Sequence, residues 1–95
     1  MRYNERDKIF MRSFEYTIKD EQGIHARPAG LLAKAAKAIE GEVTVGKNGK
    51  SVSASKLMAV MGLGIKCGDT VTVCVNGGDE EAAEKKLREF FETNL

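Results

Sequence analysis

Residues 42–54 constrain the fold more than any other part of the chain, because their pattern is typical of a β-hairpin. Val43 and Val45 alternate with polar residues, and a second alternating stretch follows a short polar break. The break contains Asn48-Gly49, the pair that favours the positive backbone angles of a tight hairpin turn. A hairpin joins antiparallel strands, so the sequence predicts an antiparallel sheet.

Two further segments show the period of two that is typical of half-buried strands. They place apolar residues at every second position: Phe14, Tyr16 and Ile18 in the first, and Val71, Val73 and Val75 in the second. Helices are predicted over residues 26–40, over residues 56–63 and after Asp79. The order β-α-β-β-α-β-α, with short connections, predicts an α+β fold: a four-stranded antiparallel sheet with three helices on one face.

The boundaries and inward faces of the helices are also predicted from the sequence. The first helix ends before Gly41, Ser55 is an N-cap for the second, and Asp79 is an N-cap for the third. The inward stripe of the first helix is predicted as Leu31, Leu32, Ala35, Ala38 and Ile39. That of the last helix is predicted as Ala83, Leu87, Phe90 and Phe91.

Length and charge restrict the class of protein. Ninety-five residues, 31% of them charged, with a net charge of +1, suit one small globular domain and give no basic surface for nucleic acid. Residues 1–10 are predicted to be a flexible extension, either an alternative start or an artificial leader, before a domain at 11–95. The chain has no signal peptide or membrane-spanning stretch, so a cytoplasmic location is expected, with Cys67 and Cys74 as free thiols. No metal site or cofactor is expected, and a monomer is assumed.

The segment 23–30 holds the only histidine and the only proline of the chain. Pro28 has a backbone angle suited to the first turn of a helix, so His25 is predicted to lie at the helix N-terminus. The free N–H groups there and the Arg27 guanidinium would hold an anion beside a nucleophilic imidazole. Phosphorylation of His25 is therefore one interpretation, and an ordinary surface or capping histidine is the other.

Three stretches together carry a resemblance to a known family: residues 23–29, Asn48-Gly49-Lys50, and residues 56–65. They are similar to the HPr family, the histidine phosphocarriers of the bacterial phosphoenolpyruvate:sugar phosphotransferase system. The resemblance extends from about Met11 to the end of the chain. It implies an open-faced β-sandwich, in agreement with the order of elements predicted above.

The resemblance also implies a function and its residues. His25 would accept phosphate from phosphorylated enzyme I through Nδ1 and pass it to the sugar-specific IIA domains. Arg27 and Ala26 would hold the phosphate, and partners would dock on Leu57, Met58 and Met61. Such a protein is a stoichiometric carrier with a covalent phosphohistidine, not an enzyme.

One position departs from the family pattern. Lys56 stands where many Gram-positive relatives carry the serine that HPr kinase/phosphorylase modifies, and Ser55 precedes it. Ser55 is then either a helix cap or a shifted acceptor for that kinase, with the cap favoured. Similarly, Leu57, Met58 and Met61 are either core residues or an exposed docking surface.

Two other classes of function are compatible with a single histidine. An HPr-like regulatory binding protein would keep the fold without relaying phosphate, although such relatives typically lack the active histidine. A small hydrolase would use His25 as a general base with a positioned carboxylate. The nearby acids, Asp20 and Glu21, lie in a predicted turn with no recognisable spacing to His25.

Overall fold

The computed structural model describes residues 11–95, so the predicted extension at 1–10 lies outside the described residues. The order of elements is the predicted one. They are β1 (Met11–Thr17), α1 (Ala26–Ala38), β2 (Glu42–Lys47), β3 (Lys50–Ser53), α2 (Leu57–Gly62), β4 (Thr70–Asn76) and α3 (Glu80–Asn94).

The four strands form one antiparallel sheet in the order β1-β4-β2-β3. The last strand, β4, lies inside the sheet, where Val73 is opposite Phe14 of β1 on one side and Val45 of β2 on the other. With three helices on one face, this arrangement is an open-faced sandwich, and the predicted α+β fold is confirmed.

The hairpin between β2 and β3 is also confirmed. Lys47 pairs with Lys50, which leaves a two-residue turn. Asn48 has φ 53° and Gly49 has φ 82°. Positive φ at both central residues is the requirement of the type I′ turn, and Asn-Gly meets it at low steric cost.

The core lies between the inner face of the sheet and the helices. The alternating valines of β2 and β4 are buried, and the ring of Phe91 from α3 packs edge-on against Phe14 and Tyr16, with centroids 6.0 and 5.4 Å away. Alternation turns the intervening residues of β4 outward, so Cys74 is partly exposed on the open face. Both cysteines are free thiols, as predicted.

The predicted inward stripe of α1 is wrong in part. The buried residues are Pro28, Ala29, Leu32, Ala33 and Ala36, whereas Leu31 is 43% exposed and Ala38 is exposed. Small alanines allow the helix to approach the rest of the core closely, and the face that they occupy is the one buried.

The first helix also ends two residues earlier than predicted. Ile39 is its C-cap, with an extended ψ of 135°. Gly41 has a different role from the predicted helix stop, because a Cβ at this position would collide with the carbonyl oxygen of Gly77. Gly41 therefore permits the close approach of two backbone segments.

The predicted N-cap of α2 is wrong, whereas that of α3 is confirmed. Lys56 occupies the N-cap position of α2 in an extended conformation and makes no side-chain cap. The Ser55 hydroxyl lies 2.8 Å from the Ser53 hydroxyl instead, so its hydrogen bonding is used within the preceding turn. At α3, the Asp79 carboxylate accepts a hydrogen bond from the Ala82 N–H at 3.2 Å, and Ala83, Leu87 and Phe91 are buried as predicted.

Candidate functional site

His25 lies at the start of α1, as the position of Pro28 predicts. It is the N-cap residue, with φ −99° and ψ −171°, and its carbonyl oxygen accepts the N–H of Ala29 at 2.9 Å. Its imidazole makes no capping hydrogen bond, and the side chain is 38% exposed. The interpretation of His25 as a side-chain cap is therefore wrong, and the imidazole is accessible for chemistry.

The imidazole borders a shallow depression of about 350 Å³ that contains more than the predicted residues. Its lining is Asp20, His25, Arg27, Pro28, Leu31 and Asn94. The structure thus brings His25 and Arg27 together at one site. Arg27 and Ala26 are both exposed in the first turn of α1, where backbone N–H groups have no intrahelical acceptor.

Asp20 also belongs to this site, although its position in the sequence showed no recognisable spacing to His25. Its Oδ2 lies 4.0 Å from Nε2 of His25, and both side chains are about one-third exposed. Its Oδ1 accepts the Gln22 N–H at 2.8 Å, which forms an Asx turn. Its own N–H donates to the carbonyl oxygen of Leu95 at 2.7 Å. The turn and the end of α3 therefore fix the carboxylate beside the imidazole.

Close backbone packing supports the loop that carries His25. Gly23 has φ 69°, and a Cβ there would collide with the carbonyl oxygen of Ile65. The same carbonyl accepts the Ile24 N–H at 3.1 Å. Glycine at position 23 thus allows the residue next to His25 to be tied to the loop that follows α2.

An ion pair holds the other side of that loop. The Lys47 ammonium lies 2.7 Å from Oδ2 of Asp69 and donates to the carbonyl oxygen of Gly64 at 3.0 Å. Asp69 also accepts the Lys66 N–H at 2.8 Å. The hydrogen bond from Lys47, followed by that from Lys66, lowers the pKa of the Asp69 carboxyl below its ordinary value.

The predicted docking residues divide between surface and core. Met58 is 75% exposed and Leu57 is 37% exposed, whereas Met61 is half-buried and packs against the core. We refer to Leu57, Met58 and Met61 as the apolar patch. Leu31 is a further exposed apolar residue, on the rim of the His25 depression. The exposure of Leu31 follows from burial of the alanine face of α1, and the sequence analysis predicted a different buried face.

The described part of the chain was searched for groups of metal-binding side chains and for membrane-spanning helices. Residues 11–95 contain no group of three or more His, Cys, Asp or Glu side chains that could hold a metal ion. No helix among them has the length and apolar character needed to cross a bilayer.

Comparison with known proteins assigns the chain to a family. Residues 12–93 match the PTS-HPr family, described as the PTS HPr component phosphorylation site. The chain belongs to the PTS-HPr family. It is 38% identical over 79 residues to the phosphocarrier protein HPr of Borreliella burgdorferi, which is 83% of this chain and 92% of that protein.

Solved HPr structures share the fold. HPr-C-His of Thermoanaerobacter tengcongensis superposes with a TM-score of 0.82 at 35% identity, covering 86% of this chain and 92% of that one. A phosphocarrier protein HPr from Bacillus anthracis gives 0.79 at 30% identity, covering 85% and 96%. The family and these relatives support a role as an HPr phosphocarrier of the phosphotransferase system.

Proposed function

We propose that His25 accepts a phosphoryl group at Nδ1 from phosphorylated enzyme I and passes it to the IIA domains of sugar permeases. The observation that carries the proposal is the state of the imidazole. It lies at the N-terminus of α1 within the segment that matches the family, is accessible to solvent, and is not used as a helix cap. It is also the only histidine of the chain.

The residues of the depression suit an in-line transfer. The lone pair of neutral Nδ1 attacks phosphorus, the new N–P bond forms, and the donor atom of enzyme I leaves with the electron pair of the broken bond. Arg27 and the first-turn N–H groups of Ala26 and Arg27 can neutralise the charge on the phosphoryl oxygens. Attack by a IIA domain on the same phosphorus reverses the step and regenerates His25.

This chemistry makes the protein a carrier that is modified once per cycle, not an enzyme. The phosphohistidine keeps its phosphoryl-transfer potential only if the phosphoryl group passes to the IIA domain and not to water. Hydrolysis would need a base that activates water at the phosphorus. Asp20 lies near Nε2, whereas the phosphoryl group is proposed to be bonded to Nδ1. The Asp20 carboxylate is therefore not beside the phosphorus, where such a base would have to act.

The apolar patch and its surroundings define the proposed partner surface. Enzyme I and the IIA domains would bury Met58 and Leu57, and a flexible thioether suits a surface that several partners share. We expect Met58→Glu to raise the KM for phosphorylated enzyme I while leaving the fold intact, because the side chain is exposed. An unchanged KM would exclude Met58 from the docking surface.

Further parts of the proposal concern regulation, location and domain limits. HPr kinase/phosphorylase is not proposed as a partner, because Lys56 replaces the acceptor and the Ser55 hydroxyl is half-buried against Ser53. The cytoplasm is the proposed location, since enzyme I and IIA domains are the proposed partners. Residues 11–95 are proposed as the HPr domain, and residues 1–10 as an extension that takes no part in transfer.

The test is phosphorylation in a reconstituted system. Wild-type protein, enzyme I and phosphoenolpyruvate should give a single acid-labile phosphate per chain, detected by intact mass under neutral conditions. His25→Ala should remain folded and gain none, because the side chain lies outside the core. Residual phosphate on His25→Ala would refute the assignment, and continuous release of inorganic phosphate from wild type would favour a hydrolase.

A further inference from the structure

We propose that Asp20 is a positioning residue for phosphotransfer, whose carboxylate holds His25 in the tautomer with hydrogen on Nε2 and a free lone pair on Nδ1. The inference rests on the proposed function of His25 and deepens it. It follows from the placement of the carboxylate on the Nε2 side of the ring, with Oδ2 4.0 Å from that nitrogen.

The Asp20 carboxylate is held from two directions. Its Oδ1 accepts the Gln22 N–H, and its backbone N–H donates to the carbonyl oxygen of Leu95. The carbonyl of Asp20 also accepts the Gly23 N–H at 2.9 Å, closing the turn that leads to His25. With Oδ1 already used by the turn, Oδ2 is the oxygen that faces the imidazole.

This arrangement favours one tautomer of the neutral ring. A carboxylate can only accept, so the nitrogen that faces it is stabilised as N–H, and the proton is disfavoured on the other nitrogen. At 4.0 Å the contact acts as electrostatic attraction and not as a short hydrogen bond. Partial exposure of both side chains weakens the attraction but does not reverse its sign.

The same carboxylate assists the transfer step. When Nδ1 donates its lone pair to phosphorus and the bond to the donor breaks, the ring acquires positive charge that it shares with the Nε2–H. Oδ2 lies on that side and stabilises this charge. The proton then either stays on Nε2 or leaves to solvent, and no further reactant is needed.

The sharpest test is Asp20→Asn, because it changes the chemistry without removing the turn. Its amide oxygen can still accept the Gln22 N–H, which turns the NH₂ group toward Nε2. A donor at this position favours hydrogen on Nδ1, the nitrogen required as nucleophile. We expect transfer from enzyme I to slow at least about tenfold, by analogy with the tautomer reversal caused by Asp→Asn in a catalytic triad.

The ¹⁵N spectrum of the single imidazole provides a readout that a structural role would not change. Recorded in mildly alkaline solution, it should show Nε2 protonated in wild type and an increased Nδ1–H population in Asp20→Asn. Asp20→Ser, which keeps a turn-forming oxygen but lacks the carboxylate, should give an intermediate result. Glu21→Gln is the control, since it removes one negative charge from the same turn, and it should leave rate and spectrum unchanged.

The possible outcomes separate the two proposals. Unchanged transfer in both Asp20 variants would overturn the positioning role, and so would slower transfer with unaltered ring nitrogens. Both results would leave the role of His25 intact. Phosphate on His25→Ala would instead refute the proposed function itself.

Discussion

Gly23→Ala should destabilise the protein by more than the free-energy cost of placing an alanine in the left-handed backbone region. Gly23 has φ 69° and faces the carbonyl oxygen of Ile65, so an alanine must both adopt that conformation and displace the neighbouring loop. Gly64 provides a matched control. Its φ of 65° is almost the same, but no atom lies within 4 Å of an added Cβ.

The expected magnitudes follow from these two situations. Placing an L-residue in the left-handed region costs about 1–2 kcal/mol, and this is the whole cost expected for Gly64→Ala. At Gly23, moving the Ile65 carbonyl also breaks its hydrogen bond with the Ile24 N–H. A buried donor left unpaired costs about 1–3 kcal/mol, which gives a total of about 2–5 kcal/mol.

Urea unfolding followed by far-UV circular dichroism would measure the difference. With an m-value of about 1–3 kcal/mol per M for a small domain, the Gly23 variant should unfold at a urea concentration lower by about 1 M than the Gly64 variant. Transfer to His25 should also be slower in Gly23→Ala, because the displaced backbone adjoins the site. Equal midpoints for the two variants would show that the close approach to Ile65 contributes nothing to stability.

Three further predictions concern charged residues and the reversed serine. Arg27→Ala should slow transfer by about one to two orders of magnitude without unfolding the protein, since a charge-assisted contact contributes about 1.5–3 kcal/mol. Rapid-quench kinetics would measure the rate. An unchanged rate would leave the N-terminus of α1 as the only phosphate-binding element at this site. HPr kinase with ATP should leave Ser55 unmodified, and Ser55→Lys combined with Lys56→Ser should create an acceptor at the exposed N-cap of α2. Peptide mass spectrometry would locate any phosphate. Stoichiometric phosphate on Ser55 of the wild-type protein would contradict the prediction. The lowered pKa of Asp69 gives stability that is present above the unfolded pKa of about 3.9 and is lost as pH falls through the folded value. Lys47→Met should therefore cost most stability at neutral pH and progressively less in acid, as thermal unfolding at several pH values would show; a pH-independent difference would exclude the ion pair as its cause.

The features predicted correctly are those encoded by local chemistry. The Asn48-Gly49 turn, the alternating valines of β4 and the Asp79 cap each depend on residues within a few positions of one another. The position of His25 likewise follows from Pro28, three residues away, because proline suits the first helical turn. The local preferences and the final fold agree at these positions.

The features that were missed depend on contacts distant in sequence. Leu31 is exposed because the alanine face of α1 packs inward. Which face of α1 is buried depends on the rest of the core and not on the sequence of the helix alone. Asp20 reaches the imidazole because its turn is tied to Leu95, 75 residues further along the chain. Ser55 has hydroxyl chemistry suitable for a cap, but the nearby Ser53 hydroxyl competes for it. Sequence periodicity contains no information about such partners.

The sheet order also governs when the molecule can form during synthesis. Among the described strands, β1 leaves the ribosome first, and within residues 11–95 it pairs only with β4, about 60 residues later. At about 5–20 residues per second, the first strand waits on the order of 3–12 seconds for that partner. The turn bearing Asp20 waits longer still, for the carbonyl of Leu95. A nascent chain that lacks Leu95 also lacks the hydrogen bond that ties down the Asp20 turn. The full rate of phosphotransfer should therefore appear only in chains synthesised through residue 95.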